Sequence, residues 1–229
     1  TVRADCPPRE TTPVHVVAGQ AVEPLEAGRR VVVDGVVTAA FPGDEGLDGF
    51  FIRGRERAPD GLPSGLFVYA PGPGAERAGR LEPGQWLRLT GRVGEYHGRP
   101  QLHRLETLVH CGDASDESLA VTLPLTEVVE DPARLEGVRV RIDEPLTVSG
   151  HRELARHGTL ELTAGGRAFQ PTNFADGSGT IPAGRRLLLD DGDYGWGADP
   201  IPHLDAHGTR RTGDRIEGLT GVLTRAFDR

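Results

Sequence analysis

The chain has 229 residues, with 26 basic residues against 34 Asp and Glu for a net charge of -8, and every one of those cations is arginine. The absence of lysine excludes a P-loop lysine, Schiff-base chemistry and a lysine general base, each of which needs an amine of tunable pKa. At 37% hydrophobic and 26% charged, the composition is that of a globular chain of one large or two small domains, and no apolar run approaches the ~20 residues that cross a bilayer.

Methionine is absent as well, which reads as a mature or excised form of a longer chain. Thirty-two glycines and 18 prolines punctuate the sequence too often for long helices. Cys6 stands near the start and Cys111 near the middle. Paired, they would close a loop of about 100 residues, add about 4–5 kcal/mol in the chain-entropy view, and tie the N-terminus to the end of a first domain. The alternative is two unrelated buried thiols. Neither cysteine has a CxxC partner, so no zinc or redox motif is indicated.

From Arg30 to Phe41 a β-branched run interrupted by Gly35 predicts a long strand with a bulge near that glycine. Gly49–Arg53 and Gly65–Tyr69 predict two short strands, 86–93 alternates with period two, and Gln101–Val109 supplies a fifth. Five strands with a glycine inside the long first one fit a Greek-key barrel of the OB type. The polar stretch Cys111–Ser118 predicts a boundary, giving domains 1–112 and 113–229. The first 111 residues hold 13 Arg against 14 acids and the remainder 13 against 20, so the acidity belongs to the second half.

A short helix is expected over Leu125–Leu135, and Gly137–Ile142 then opens the second half much as Arg29–Val33 opens the first. Residues 213–223 also align with 84–93, each ending in Thr-Gly before an apolar residue. The fold class is therefore mainly β: two tandem OB-like Greek-key barrels. The second carries a long Gly/Pro/Asp-rich insert over about 174–204 and lacks its last strand.

No hydrolase or dinucleotide motif is present, and no catalytic residue is indicated. His203 and His207 have i, i+4 spacing, but the flanking Pro202 and Gly208 argue against a helix that would pair them. Asp190, Asp191 and Asp193, with Asp199 nearby, form the most acidic cluster and could offer oxygens to calcium, although the EF-hand pattern fails at Gly195 and Trp196. The alternative is a solvated loop whose carboxylates cap turns.

On the alternating strand, Leu87, Leu89 and Val93 share one face and leave Trp86, Arg88, Thr90 and Arg92 on the other. Phe51, Arg53 and Arg55 share a face of the second strand, as Phe67 and Tyr69 do of the third, and either Phe50 or Phe51 must point inward. Tyr96, His97 and Arg99 lie in the loop between strands four and five. Arginines interleaved with flat rings suit single-stranded nucleic acid, cations for phosphates and rings for bases. Against this, a half of net charge near -1 neutralises few phosphates.

The motifs Asp34-Gly35-Val36-Val37-Thr38, Gly46–Ile52, Gly65–Tyr69, Thr90–Val93, Glu95-Tyr96 and Gln101-Leu102, followed by Phe169–Asn173, Arg185–Gly192, Asp199–Leu204 and Gly218–Leu223, resemble the N-terminal OB-fold region of the NucH/ExeM-like secreted nucleases of the endonuclease/exonuclease/phosphatase superfamily. The resemblance covers the chain from about residue 25 onward. It implies an exported protein, in agreement with a Cys6–Cys111 disulfide. It also implies a non-catalytic nucleic-acid-binding module whose partner is a metal-dependent phosphodiesterase domain C-terminal to this region. The faces and loop read above then supply Arg53, Arg55, Trp86, Arg88, Arg92, Tyr96, His97 and Arg99 as the contacts to DNA or RNA, and the lack of a long apolar run leaves no membrane partner. This chain departs from the family at Arg53–Arg57, where relatives carry a polar acidic turn, and at Arg99-Pro100, where a threonine is usual. Both departures add arginine to the binding face. The competing expectation is a structural docking module for the nuclease domain, ordered by calcium at Asp190, Asp191 and Asp193.

Overall fold

The computed structural model describes residues 6, 8–21, 23, 25–43, 46–114, 119–169, 185–193, 195–197, 201 and 203–225. The chain divides into two compact units: Thr1–Val121 with Pro132–Val140 and Gly221–Arg229, and Thr122–Asp131 with Arg141–Thr220.

In the first unit a one-turn helix, α1 (Val14–Val17), precedes strands β1 (Arg30–Phe41), β2 (Gly49–Arg57) and β3 (Pro63–Tyr69), a short helix α2 (Pro73–Ala78), and strands β4 (Gln85–Tyr96) and β5 (Arg99–Asp113). The five strands close into a barrel in the order β1-β2-β3-β5-β4. β3 and β5 run parallel and the other pairs antiparallel. This is the OB-like barrel expected of the first half.

The bulge of β1 falls between Val37 and Ala39, against β2, rather than at Gly35. Gly35 answers a packing need instead, since a Cβ there would lie 2.8 Å from Cδ1 of Ile52. Of the adjacent phenylalanines, Phe50 points into the core with Val33, Val37, Ile52, Leu66, Leu87 and Leu89. Each such burial removes apolar surface worth about 1.5–3 kcal/mol. Phe51 lies on the opposite side of the strand yet is also buried, its ring centroid 6.1 Å from that of Phe41 and 4.9 Å from that of Phe67.

Cys6 and Cys111 form a disulfide, with Cα atoms 5.1 Å apart across 105 residues of chain. A loop of that length corresponds to about 4.7 kcal/mol in the chain-entropy view. The segment Pro132–Val140 is fastened to the β2–β3 hairpin of the same unit. Arg134 forks onto both carboxylate oxygens of Asp60 and donates to the carbonyls of Pro63 (3.0 Å) and Leu62 (3.2 Å). The backbones of Gly65 and Gly137 cross so closely that a Cβ on Gly65 would collide with the Gly137 carbonyl, and one on Gly137 would stand only 3.0 Å from the Leu66 nitrogen. Gly137 is tied in turn to Leu223: its N–H donates to the Leu223 carbonyl (2.8 Å), and the Leu223 N–H donates to the Val138 carbonyl (2.9 Å).

The helix expected over 125–135 is α3 (Leu125–Glu130), five residues shorter. Pro132 sets the limit, forcing Asp131 out of the helical region to φ -134°, ψ 73°. The second unit contains β8 (Leu146–Gly150), helix α4 (Leu154–His157), β9 (Leu160–Ala164), β10 (Arg186–Leu189) and β11 (Arg215–Ile216). They make an antiparallel sheet in the order β10-β9-β8-β11 over buried Leu146, Val148, Leu160 and Leu162. A three-stranded sheet, β12-β7-β6, is built from β6 (Val121–Thr122), β7 (Arg139–Ile142) and β12 (Leu219–Val222).

Among the described residues the second half therefore forms open sheets and no second closed barrel. The internal repeat breaks at Gly218, whose φ of +63° interrupts the strand. Where β4 is continuous, residues 213–223 yield two short strands that join different sheets. The 174–204 stretch is likewise no mere insert, since β10 within it pairs with β9. Residues 174–184, 194, 198–200 and 202 of that stretch, Ser115–Ser118 of the expected boundary, and the motif residues 170–173 lie outside the described residues. No helix among the described residues is long and apolar enough to cross a membrane.

Candidate nucleic-acid interface

β1 lies between β2 and β4, and this register assembles the candidate residues. Val36 pairs with Arg53 on one side and with Trp86 on the other. Arg55 reaches across β1 from β2, placing its guanidinium carbon 4.1 Å from the centroid of the Trp86 ring. At that distance the cation and the ring's negative face attract by roughly 0.5–2 kcal/mol. The Trp86 Nε1–H is buried with no hydrogen-bond acceptor among the described residues, so the indole is held by packing and by this cation alone.

Arg53 sits beside them, half-buried. Burial, and then the neighbouring charge of Arg57, push its pKa below the ordinary guanidinium value. Three arginines on alternate positions of one strand concentrate positive charge that the sequence spread along a line. Arg57, absent from the sequence-based set, belongs to this cluster and donates to the Gly61 carbonyl at 2.7 Å.

Arg88 is occupied. Its Nε and Nη2 donate to the two oxygens of Asp34 at 2.7 and 2.8 Å, a fork formed where β1 and β4 pair Asp34 with Arg88. Both side chains are largely shielded, at 11% and 17% exposure. Hydrogen bonding to Asp34 raises the Arg88 pKa, so the cation is permanent but its fork is filled. Arg92 donates to the Gly28 carbonyl at 2.8 Å. Thr90, on the same face, is buried, and the Thr107 hydroxyl donates to its oxygen at 2.8 Å.

Tyr96, His97 and Arg99 form a separate group at the β4–β5 turn. His97 and Gly98 both have positive φ (49° and 72°), the signature of a two-residue I′ hairpin turn. Tyr96 is 55% exposed and meets the His97 ring edge-on at 4.3 Å. Arg99 lies 5.9 Å from the Tyr96 ring but spends Nη1 on the Arg225 carbonyl (2.8 Å), and it stands 3.9 Å from Glu136. The Tyr96 group is ten residues along β4 from Trp86, or roughly 30 Å of strand. The eight candidates are thus two clusters, with Arg92 between them.

The acidic loop of the second unit uses its carboxylates locally. The N–H groups of Gly192, Asp193 and Gly195 donate to Asp190 (2.9 Å), Asp191 (3.1 Å) and Asp193 (2.6 Å) respectively, successive turns closed by a carboxylate two residues back. Burial raises the pKa of Asp191 and lowers that of the neighbouring His203. Among the described residues no group of three or more His, Cys, Asp or Glu side chains is arranged to hold a metal ion.

No protein-family model and no curated protein matches the chain. Among solved structures it is similar to asparaginyl-tRNA synthetase from Pyrococcus horikoshii complexed with asparaginyl-adenylate, at 16% identity and TM-score 0.34 over 48% of this chain and 24% of that one. It is also similar to asparaginyl-tRNA synthetase from Pyrococcus horikoshii, at 14% identity and TM-score 0.29 over 60% of this chain and 48% of that one. The matched region spans less than half the length of either structure.

Proposed function

We propose that the barrel is a nucleic-acid-binding module that engages single-stranded or frayed DNA or RNA through the outer face of β2, β1 and β4. The observation that carries this is the Arg55–Trp86 pair with Arg53 alongside. The pair can exchange partners: a phosphate draws the Arg55 guanidinium off the indole, and the uncovered ring accepts a base. Tyr96 and His97 supply a second stacking point farther along β4. The motif resemblance to secreted nucleases extends the proposal to a module that is non-catalytic alone and guides substrate to a phosphodiesterase domain of an exported polypeptide, a setting with which the disulfide agrees.

The test is fluorescence anisotropy of labelled single-stranded DNA and RNA against the chain at several salt concentrations. Binding at micromolar protein that weakens steadily with salt is expected, and Arg55→Ala lowers the salt slope by about one. No binding at tens of micromolar, or binding without a salt slope, overturns the proposal. A second reading, a docking module for a nuclease domain without nucleic-acid contact, is favoured by the internal use of Arg88, Arg92 and Arg99. A melting midpoint unchanged between calcium and EDTA would remove the calcium-ordered form of that reading, in which Asp190, Asp191 and Asp193 hold the ion.

A further inference from the structure

The chain contains two tryptophans. The second, Trp196, lies in the acidic unit and is 73% exposed, well beyond the other exposed rings. Leaving an indole in water forgoes one of the largest apolar burials any side chain offers. Arg156 covers one face of it, the guanidinium carbon 3.9 Å from the ring centroid, and His157 meets its edge at 5.8 Å and an interplanar angle of 75°.

The backbone holds this ring in place from both sides. Gly195 donates its N–H to Asp193 at 2.6 Å, and Gly197 donates its N–H to the Arg156 carbonyl at 3.1 Å. The loop is also seated against the C-terminal end of α4, where Gly158 has φ +62° and a Cβ would collide with the Asp191 carboxylate. Hydrogen bonds at the residues on either side of Trp196 reduce the ordering cost that a contact to its ring incurs. Arg156 covers part of the ring, and at 73% exposure most of the indole surface meets solvent. Arg152, four residues before Arg156 on the same segment, is 95% exposed and stands 3.5 Å from the Glu153 carboxylate, a further cation on this stretch of chain. The second unit as a whole is acidic, and at Trp196 the segment 152–157 sets Arg152, Arg156 and His157 against Glu153 and against Asp191 and Asp193 of the loop itself.

We propose that Trp196, backed by Arg156 and edged by His157, is a stacking platform for an unpaired nucleobase. The platform gives the second unit a nucleic-acid contact of its own. The proposal extends the reading of the barrel as a nucleic-acid-binding module, and it uses the same pairing of indole with arginine on a different part of the chain.

Each tryptophan is its own reporter. In the full chain carrying Trp86→Phe only Trp196 emits, and in Trp196→Phe only Trp86 emits. A short oligodeoxythymidylate is expected to quench Trp196, whereas an abasic oligomer of the same length is not. Trp196→Ala, at a site too exposed to endanger folding, should bind labelled oligonucleotide about 5- to 100-fold more weakly, with Trp196→Tyr restoring most of the loss. Equal quenching by the abasic oligomer, or an unquenched Trp196 in a chain whose Trp86 is quenched, overturns the platform and leaves the barrel reading standing. Quenching of Trp196 alone supports the platform and removes the barrel face. Neither ring quenched, with no anisotropy change, overturns both.

Discussion

Gly65→Ala should cost the barrel unit about 3 kcal/mol. A Cβ at residue 65 would stand 2.5 Å from the Val138 nitrogen and closer still to the carbonyl of Gly137. Ordinary contacts between such atoms are about 3.5–4.0 Å, so the 137–138 backbone has to retreat by an ångström or more. That backbone cannot retreat freely. Gly137 already has φ +72°, and two hydrogen bonds join 137–138 to Leu223 while a third ties the Val138 N–H to the Leu135 carbonyl at 2.9 Å. Losing two of the three, at about 1 kcal/mol each, together with an overpacking cost of about 1–3 kcal/mol, outweighs the roughly 0.4–1 kcal/mol that alanine returns by stiffening the unfolded chain.

The assay is urea unfolding followed by Trp86 fluorescence in the Trp196→Phe background, so that the signal comes from the barrel. Gly221→Ala is the control, because a Cβ there meets nothing within 4 Å. A Gly65→Ala midpoint indistinguishable from the parent's, or a Gly221→Ala loss as large, would refute the reasoning.

The Asp60–Arg134 fork holds the Asp60 carboxyl at about 2 against an ordinary 3.8, chiefly through the hydrogen bond from Arg134. A depressed folded-state pKa contributes stability that is complete above 3.8 and lost as pH falls through 2. Asp60 is 45% exposed, so screening reduces the contribution to about 1 kcal/mol or less. Asp60→Asn should therefore melt lower than the parent at pH 7, with the gap closing by pH 2, and a gap independent of pH would show that the charge is immaterial. On the proposed binding face, Asp34→Asn removes the carboxylate that fills the Arg88 fork. It should tighten single-stranded DNA binding several-fold and steepen its salt dependence, a negative charge having left the face that meets phosphates. Unchanged affinity and slope would place Arg88 outside the interface.

The barrel was legible because its strands are long, alternate cleanly and are bounded by glycines. Their ends were not, since β2 continues through Arg55–Arg57 and β5 through His110–Asp113 on charged residues that resemble loop but complete the ladder. The second half resisted reading for the opposite reason. Strands of two to five residues carry too few alternations to distinguish a sheet from a turn. Parity placed Trp86 and Arg55 on outer faces, but their meeting depends on the register of β1 between them. The same register brings Asp34 onto Arg88 and removes a cation that looked available. Arg156 and Trp196 are forty residues apart, and no local pattern announces their contact.

The clasp between Gly137 and Leu223 bears on how the protein is made. Chain synthesised as far as Asp113 contains all five barrel strands and both halves of the disulfide, so the barrel and its covalent bond can form while the rest is still emerging. The residues that close over Gly65 arrive later, and their anchor at Leu223 last of all, after the whole of 141–220. The entropic toll of joining such distant points grows only logarithmically with the intervening length, but the delay grows with every residue translated. Until then the Gly65–Leu66 backbone stands uncovered, a transient exposed stretch that a chaperone or a neighbouring nascent chain could reach before the protein's own Leu223 segment does.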